Sequence, residues 1–226
     1  MTSVAHESKT KLLNAAMNVI RAKGYAGTTI DDVCAAAGVT KGSFFHHFKS
    51  KDELALAAAA HWGTVTDAIF ASAPYQHETD PLSRLLGYLD CRIAMLGTIT
   101  AQNMAEYTCL LGTLVQETFA THPDIRAACE KGMASQVEAV TRDVEAAKKR
   151  YAPRATWSAQ SVAYFIQVTL QGCFVLAKAQ QDVKVAGESL AHLRRYLVEP
   201  FNTPGGASYS LRRSSTRSKS KSRSPS

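Results

Sequence analysis

Leu12, Leu13, Ala16, Val19 and Ile20 recur at the spacing of one helical face and are followed by Gly24, so the pattern predicts a first helix over about 5–23. Thr28 or Thr29 can cap a second, very short helix, with Asp31 and Asp32 in its first turn and Gly38 as its stop after Ala35, Ala36 and Ala37. Thr40 can cap a third helix that runs to about His47. Ser50, Lys51, Asp52 and Glu53 form a capping box that opens a fourth, apolar from Leu54 to Ala60.

Beyond Pro74, the pair Asp80-Pro81 is a cap followed by proline at the first helical position. Apolar periodicity predicts further helices at about 81–97, 103–121, 123–150, 156–181 and 184–198. No segment alternates with the two-residue period of a strand between turn signals. The expected fold class is therefore all-α: an N-terminal three-helix helix-turn-helix domain over 6–66, its helix-turn-helix at 29–48, joined to a larger helical domain over 67–200. Residues 201–226, rich in Ser, Arg and Lys, hold too few apolar groups to offset the entropy of ordering them, so a disordered basic tail is expected.

Charge changes the picture less than its total suggests. The net +7 is concentrated in Arg212, Arg213, Arg217, Lys219, Lys221 and Arg223, which leaves 20 basic residues against 19 acidic ones in the body. A nearly neutral body gives no general nucleic-acid signal, so any such case must rest on local pattern. Cys34, Cys91, Cys109, Cys129 and Cys173 are odd in number and form no C-x-x-C pair, which fits free thiols in a reducing cytosol and a cytoplasmic protein. The uncharged run from Ala155 to Ala177 is long enough to span a bilayer, but Gln160, Tyr164, Gln167 and Gln171 put a polar stripe along it, so no membrane partner is expected.

Enzyme signatures are absent: there is no G-x-S-x-G, no P-loop, no H-E-x-x-H and no G-x-G-x-x-G. Neither a cofactor nor a metal is expected, because adjacent His46 and His47 point about 100° apart on a helix rather than sharing a face.

The chemistry lies between residues 28 and 51. Ala35, Ala36 and Gly38 allow two short helices to cross closely, while Ile30, Val33, Val39, Phe44 and Phe48 can close a core with the first helix. That leaves Thr28, Thr29, Thr40, Lys41, Ser43, His46, His47, Lys49 and Lys51 for a polar, basic surface able to donate to phosphates and base edges. Gly42 permits close backbone approach. The layout suits a recognition helix entering a major groove.

From Gly24-Tyr25 through Thr28-Thr29-Ile30, and from Ala36-Ala37-Gly38-Val39-Thr40-Lys41-Gly42-Ser43-Phe44-Phe45-His46-His47-Phe48-Lys49-Ser50-Lys51-Asp52-Glu53-Leu54, the chain resembles the DNA-binding domain of TetR-family regulators. The resemblance implies a homodimer whose third helix reads a double-stranded operator, and a C-terminal domain whose small-molecule effector changes the spacing of the two heads, most simply as a repressor released by its ligand. The family often has tyrosine where this chain has Phe45, which removes a phenol-to-phosphate bond and leaves Phe45 to touch a thymine methyl or sugar, or to pack.

The same resemblance implies that the last two helices pair with their mates, and their apolar stripes, with Phe165, Cys173, Phe174, Leu190, Leu193 and Leu197, agree with such an interface; burial within one subunit is the alternative. Tyr107, Cys109, Leu110 and Leu114 on the 103–121 helix, with Gln160, Tyr164, Gln167 and Gln171, are expected to line an effector cavity, or else to be core packing. Tyr107-Thr108-Cys109-Leu110-Leu111-Gly112 also resembles an electrophile-responsive subgroup of the family, so Cys109 is either a reactive thiol or a small buried hydrophobe. The basic tail is either an added nucleic-acid or partner-binding arm or a solubilising terminus.

Overall fold

A computed structural model describes residues 2–100, 103–104 and 107–201. Among these residues the chain is helical and contains no strand. Helices α1 (Thr2–Lys23), α2 (Ile30–Ala37), α3 (Lys41–His47) and α4 (Lys51–Ala71) form the N-terminal head, and α4 continues without a break into the body. A 3-10 turn at Pro74–His77 leads to α5 (Pro81–Leu96), α6 (Leu110–Thr118), α7 (Pro123–Tyr151), α8 (Ala159–Gln180) and α9 (Lys184–Val198), ending in a 3-10 turn at Glu199–Phe201.

The helix starts follow the expected capping chemistry. Thr29 caps α2 reciprocally, its hydroxyl accepting from Asp32 N while the Asp32 carboxylate accepts from Thr29 N. Thr40, Ser50, Asp80 and Ser158 cap α3, α4, α5 and α8 one way, each side-chain oxygen accepting from the backbone N–H three residues on. At α4 the box is displaced by one residue, since Glu53 accepts from the backbone N–H of Lys49 rather than Ser50.

Asp32 also takes a hydrogen bond from Lys23, and this bond together with those from Thr29 holds its carboxyl down to about 2, against an ordinary value of 3.8. Because the folded value is depressed, its contribution to α2 is complete above 3.8 and is lost as pH falls from there toward 2. A carboxyl-carbon NMR titration is expected to place the Asp32 midpoint near 2, and an ordinary midpoint would show that the cap is not formed in solution.

One expected helix is shorter than its apolar pattern suggested. Instead of 103–121, α6 spans Leu110–Thr118, with Cys109 at its N-cap. The cause is local: the Asn103 side chain accepts from Thr100 N at 2.6 Å and donates to Thr98 O at 3.1 Å, offering the backbone a turn in place of a helix. Tyr107 therefore precedes the helix.

Two apolar cores meet along α6 to α8. The body core joins α5, α7, α8 and α9 through Leu82, Leu89, Val144, Ile166, Leu190 and Leu197. The head core joins Leu12, Ala16, Ile20, Val33, Phe44 and Leu54 to Leu110, Leu111, Leu114, Ile125 and Cys129 of α6, α7 and the segment before them. Each fully buried Leu, Ile or Phe is worth roughly 1.5–3 kcal/mol in removed apolar surface. Phe201 closes the body core at 0% exposure with its ring 5.3 Å from Trp157, so the ordered body extends one residue beyond 200; the rest of the expected tail lies outside the described residues. Helices α4 and α8 are each long and apolar enough to cross a membrane by length and composition, yet both pack within this bundle.

Candidate nucleic-acid interface

Between α2 and α3 the chain turns at Gly38, whose φ of +66° is the left-handed conformation that favours glycine. Val39 N then donates to Cys34 O at 3.0 Å, and Thr40 Oγ1 accepts from Ser43 N at 3.2 Å, which starts α3 at a fixed angle to α2. Phe44 faces inward at 0% exposure, with Phe48 beside it. The outward side of α3 and its flanks then consists of Thr40, Lys41, Gly42, Phe45, His46 and Lys49, all exposed, with Ser43 and His47 half-buried.

Several expected surface groups are partly or wholly engaged within the head. Thr28 is 2% exposed and its hydroxyl donates to Gly24 O at 2.6 Å, so it fixes the turn and presents nothing outward. Lys51 Nζ donates to Tyr25 O and Thr28 O, each at 3.1 Å, and lies over the Tyr25 ring. These two residues hold the recognition unit rather than form its surface, because the chain reversal after α1 needs acceptors and donors from nearby. Thr29 is exposed, but its oxygen is taken by the α2 cap. His47 Nε2 sits 2.6 Å from Ser8 Oγ, and burial, then His46 and Lys9, push its pKa below the ordinary value, so it is neutral at neutral pH. Lys41 reaches Asp31 at 2.8 Å in an exposed pair that solvent screens and that is easily exchanged.

The head is tied to the body by charged struts that periodicity could not reveal. Glu117 of α6 accepts from Tyr25 N at 3.0 Å and Ala26 N at 2.8 Å. Gly24, at φ +79°, adopts a left-handed conformation that favours glycine, and a Cβ there would crowd Glu117 Oε1. Lys178 of α8 donates to Arg21 O at the end of α1, at 2.8 Å. Burial, then the Arg21 charge, lowers the Lys178 pKa, with Glu117 opposing. Tyr25 donates to Asp52, linking the same turn to α4.

The expected effector residues do not assemble as one lining. Leu110 and Leu114 are fully buried in the head core, because α6 turns that face toward α1 and α4. Tyr107 packs edge-on against Phe174 at 5.2 Å. Gln160 and Tyr164 are exposed on the far side of α8. Cys109, Gln167 and Gln171 do come together, around a gap of about 20 Å³ that also touches Trp62, Thr66, Arg92, Gln136, Leu170 and Phe174. Cys109 is 5% exposed there, and burial, then Cys109 itself, pushes the adjoining Cys129 thiol up to about 11. A larger cavity, of about 300 Å³, opens between α4, α5 and α7. Arg92, which lines both spaces, was not singled out by the sequence; its one signal was its place a helical turn after Tyr88 on α5.

The expected interface residues need a similar correction. Cys173, Leu190, Leu193 and Leu197 are at most 4% exposed and Phe174 is half-buried, because α5 and α8 of the same chain cover the apolar face of α9. Phe165 remains outward. Around it α8 exposes Tyr164, Val168, Val175 and Leu176, and α9 exposes Tyr196, whose ring lies 5.4 Å from Phe165. Gly172, amid this stripe, has open space where a Cβ would stand.

Residues 12–58 match the family described as bacterial regulatory proteins, tetR family, and residues 90–185 match the C-terminal domain of LmrA/YxaF-like transcriptional regulators. A Lactococcus lactis HTH-type transcriptional regulator from the lacX 3' region is 28% identical over 182 residues, covering 79% of this chain and 87% of that protein. The Escherichia coli HTH-type transcriptional repressor NemR is 22% identical over 203 residues, covering 86% and 96%. Among solved structures, the regulatory protein TetR from Rhodobacter sphaeroides superposes with a TM-score of 0.71 at 26% identity, covering 88% of this chain and 99% of that one. With a capped helix-turn-helix at its head and a helical regulator body behind it, the chain belongs to the TetR family of transcriptional regulators.

Proposed function

We propose that the chain acts as a homodimeric repressor: α3 of each subunit lies in the major groove of an operator, and a small molecule held in the body releases it. The observation that carries the DNA reading is the seven-residue α3 itself, whose inward side is spent on Phe44 and whose outward side is entirely polar, small or accessible. Thr40, Lys41, Ser43, Phe45, His46, His47 and Lys49 are the contacts, with the half-buried Ser43 and His47 reached at the edges. Phe45, 55% exposed, is placed to meet a thymine methyl or sugar. Dimerisation through the α8 and α9 stripe follows from its exposed aromatic and branched residues, and the name of the Escherichia coli relative supports repression.

Release follows from how the head is held. Helices α6 and α8 carry both the inner gap, through Cys109, Gln167 and Gln171, and the struts, through Glu117 and Lys178. A ligand that displaces either helix thereby moves the turn between α1 and α2. No cofactor takes part in this scheme.

Selection of bound fragments from the source genome tests the reading, and Gly42→Ala sharpens it. A Cβ at Gly42 meets only Thr40 Oγ1, at 3.7 Å, so nothing inside the chain requires glycine there. The variant is expected to be unchanged or up to about 1 kcal/mol more stable, as alanine favours helix. Operator affinity is expected to fall about tenfold or more, because the added methyl lies between α3 and the duplex backbone. Unchanged operator affinity in that variant would show that the first turn of α3 does not lie on DNA.

A further inference from the structure

The two spaces in the body share a wall. The apolar side of the cavity of about 300 Å³ includes Phe70, Tyr75, Leu85, Tyr88 and Val140. The gap of about 20 Å³ lies on the other side of Arg92 and Gln136, which border both. The first has the size of a small ligand site, and the second has room for about one water-sized group.

Arg92 is held but not neutralised. Its Nε and Nη2 donate to Tyr88 Oη at 3.1 and 2.9 Å, and its guanidinium lies 4.2 Å from the Phe70 ring centre. Among the described residues no carboxylate pairs with it. A guanidinium carries five N–H donors, so part of the fork remains for an acceptor. The other charged groups at the cavity are Asp67, Asp143 and Arg142. Asp143 is taken by Arg84 at 2.7 Å, and Arg142 reaches Glu138 at 3.4 Å. Asp67 is exposed and disfavours an anion at that side.

Trp62 borders the inner gap, and its Nε1 is buried and, among the described residues, is the one such side-chain nitrogen or oxygen without a hydrogen-bond partner. A buried donor with no acceptor is costly, so an oxygen brought within reach of that N–H gains more than a bond exchanged with water would give.

We propose that the effector is a compact carboxylate with a flat apolar body, bound with its body against Phe70, Tyr75 and Tyr88, and with one carboxylate oxygen passing Arg92 to accept from Trp62 Nε1. This rests on the reading of the body as an effector domain and specifies the chemistry of that site. The gap admits an oxygen and not a ring, which fixes the direction of entry, and Asp67 keeps the charged end away from the opposite side. Gln136, on the shared wall, supplies an amide for the second oxygen.

Benzoate is the probe, with benzamide as its neutral counterpart. In the ¹⁵N-labelled full chain the indole N–H signals come from Trp62 and Trp157, and Trp157→Phe assigns them. Benzoate is expected to move the Trp62 indole signal downfield in a saturable manner, and benzamide to bind about tenfold more weakly or worse. Arg92→Gln is expected to weaken benzoate about 10- to 100-fold, the loss of a charged hydrogen bond. Thermal unfolding checks that this variant folds, and Gln136→Leu, which keeps the guanidinium, is the second variant, expected to weaken benzoate less. An unmoved Trp62 signal at millimolar benzoate, equal binding of benzamide, or unchanged benzoate affinity in Arg92→Gln would overturn the assignment. The effector reading is tested separately: benzoate that moves the Trp62 signal yet leaves operator binding intact sinks release by this site and upholds its chemistry.

Discussion

A chain carrying Phe44→Ala is expected to unfold about 3–5 kcal/mol more readily than the parent, the range for truncating a fully buried aromatic side chain. Phe44 is 0% exposed, its ring lies 5.9 Å from that of Phe48, and it belongs to the same core as Leu12, Ala16 and Ile20. A seven-residue helix has little stability of its own, so α3 holds its orientation only through this anchor. Operator affinity is therefore expected to collapse with stability. Urea unfolding checks the first effect and operator titration the second; Phe45→Ala, at a 55% exposed neighbour, is the control that should leave stability nearly unchanged. A loss below about 1 kcal/mol for Phe44→Ala would mean that α3 is held by something other than its buried face.

The second large effect concerns assembly. Val168 and Leu176 are 67% and 49% exposed in the single chain, so glutamate at either position costs the isolated subunit little. In a two-fold interface the same change appears twice, and each buried unpaired carboxylate costs about 3–5 kcal/mol. Val168→Glu is thus expected to raise the dimer dissociation constant by about 10⁴-fold or more, giving monomers at micromolar concentration by sedimentation. Helicity and monomer folding are expected to persist, and operator binding to weaken because two half-sites are no longer joined. A Val168→Glu protein that still sediments as a dimer would place the interface elsewhere.

How much of this was legible before the structure varies with how local the cause is. The helix starts at Thr29, Thr40, Ser50 and Asp80 are decided within four residues, and the short α2 and α3 followed directly from them. The Gly38 turn was equally local. The start of α6 was not, because the apolar run past Asn103 reads as helix unless one knows that its amide folds back onto Thr98 and Thr100. The faces of α8 were illegible for another reason: Ile166, Leu170 and Cys173 point inward while Val168, Val175 and Leu176 point out, so apolar residues occur on both sides and periodicity cannot rank them. At the site, composition exposed the Lys, Ser and Thr surface of α3. It could not show that Lys51 and Thr28 would be consumed by the turn, or that Glu117, 91 residues beyond Ala26, would hold it.

The DNA-reading head does not end where its helices end. Cys109, Leu110, Leu111, Leu114, Ile125 and Cys129 complete the apolar interior beneath α1 to α4, and Glu117 satisfies two of its backbone donors. A chimera made by grafting residues 6–66 onto another regulator's body would leave that interior open to water on one side and would read its operator poorly, however faithful the recognition helix. A working graft would have to carry α6 and the first turns of α7 along, which makes the segment from Cys109 to Cys129 the natural place to look for compensating changes when operator specificity is transplanted.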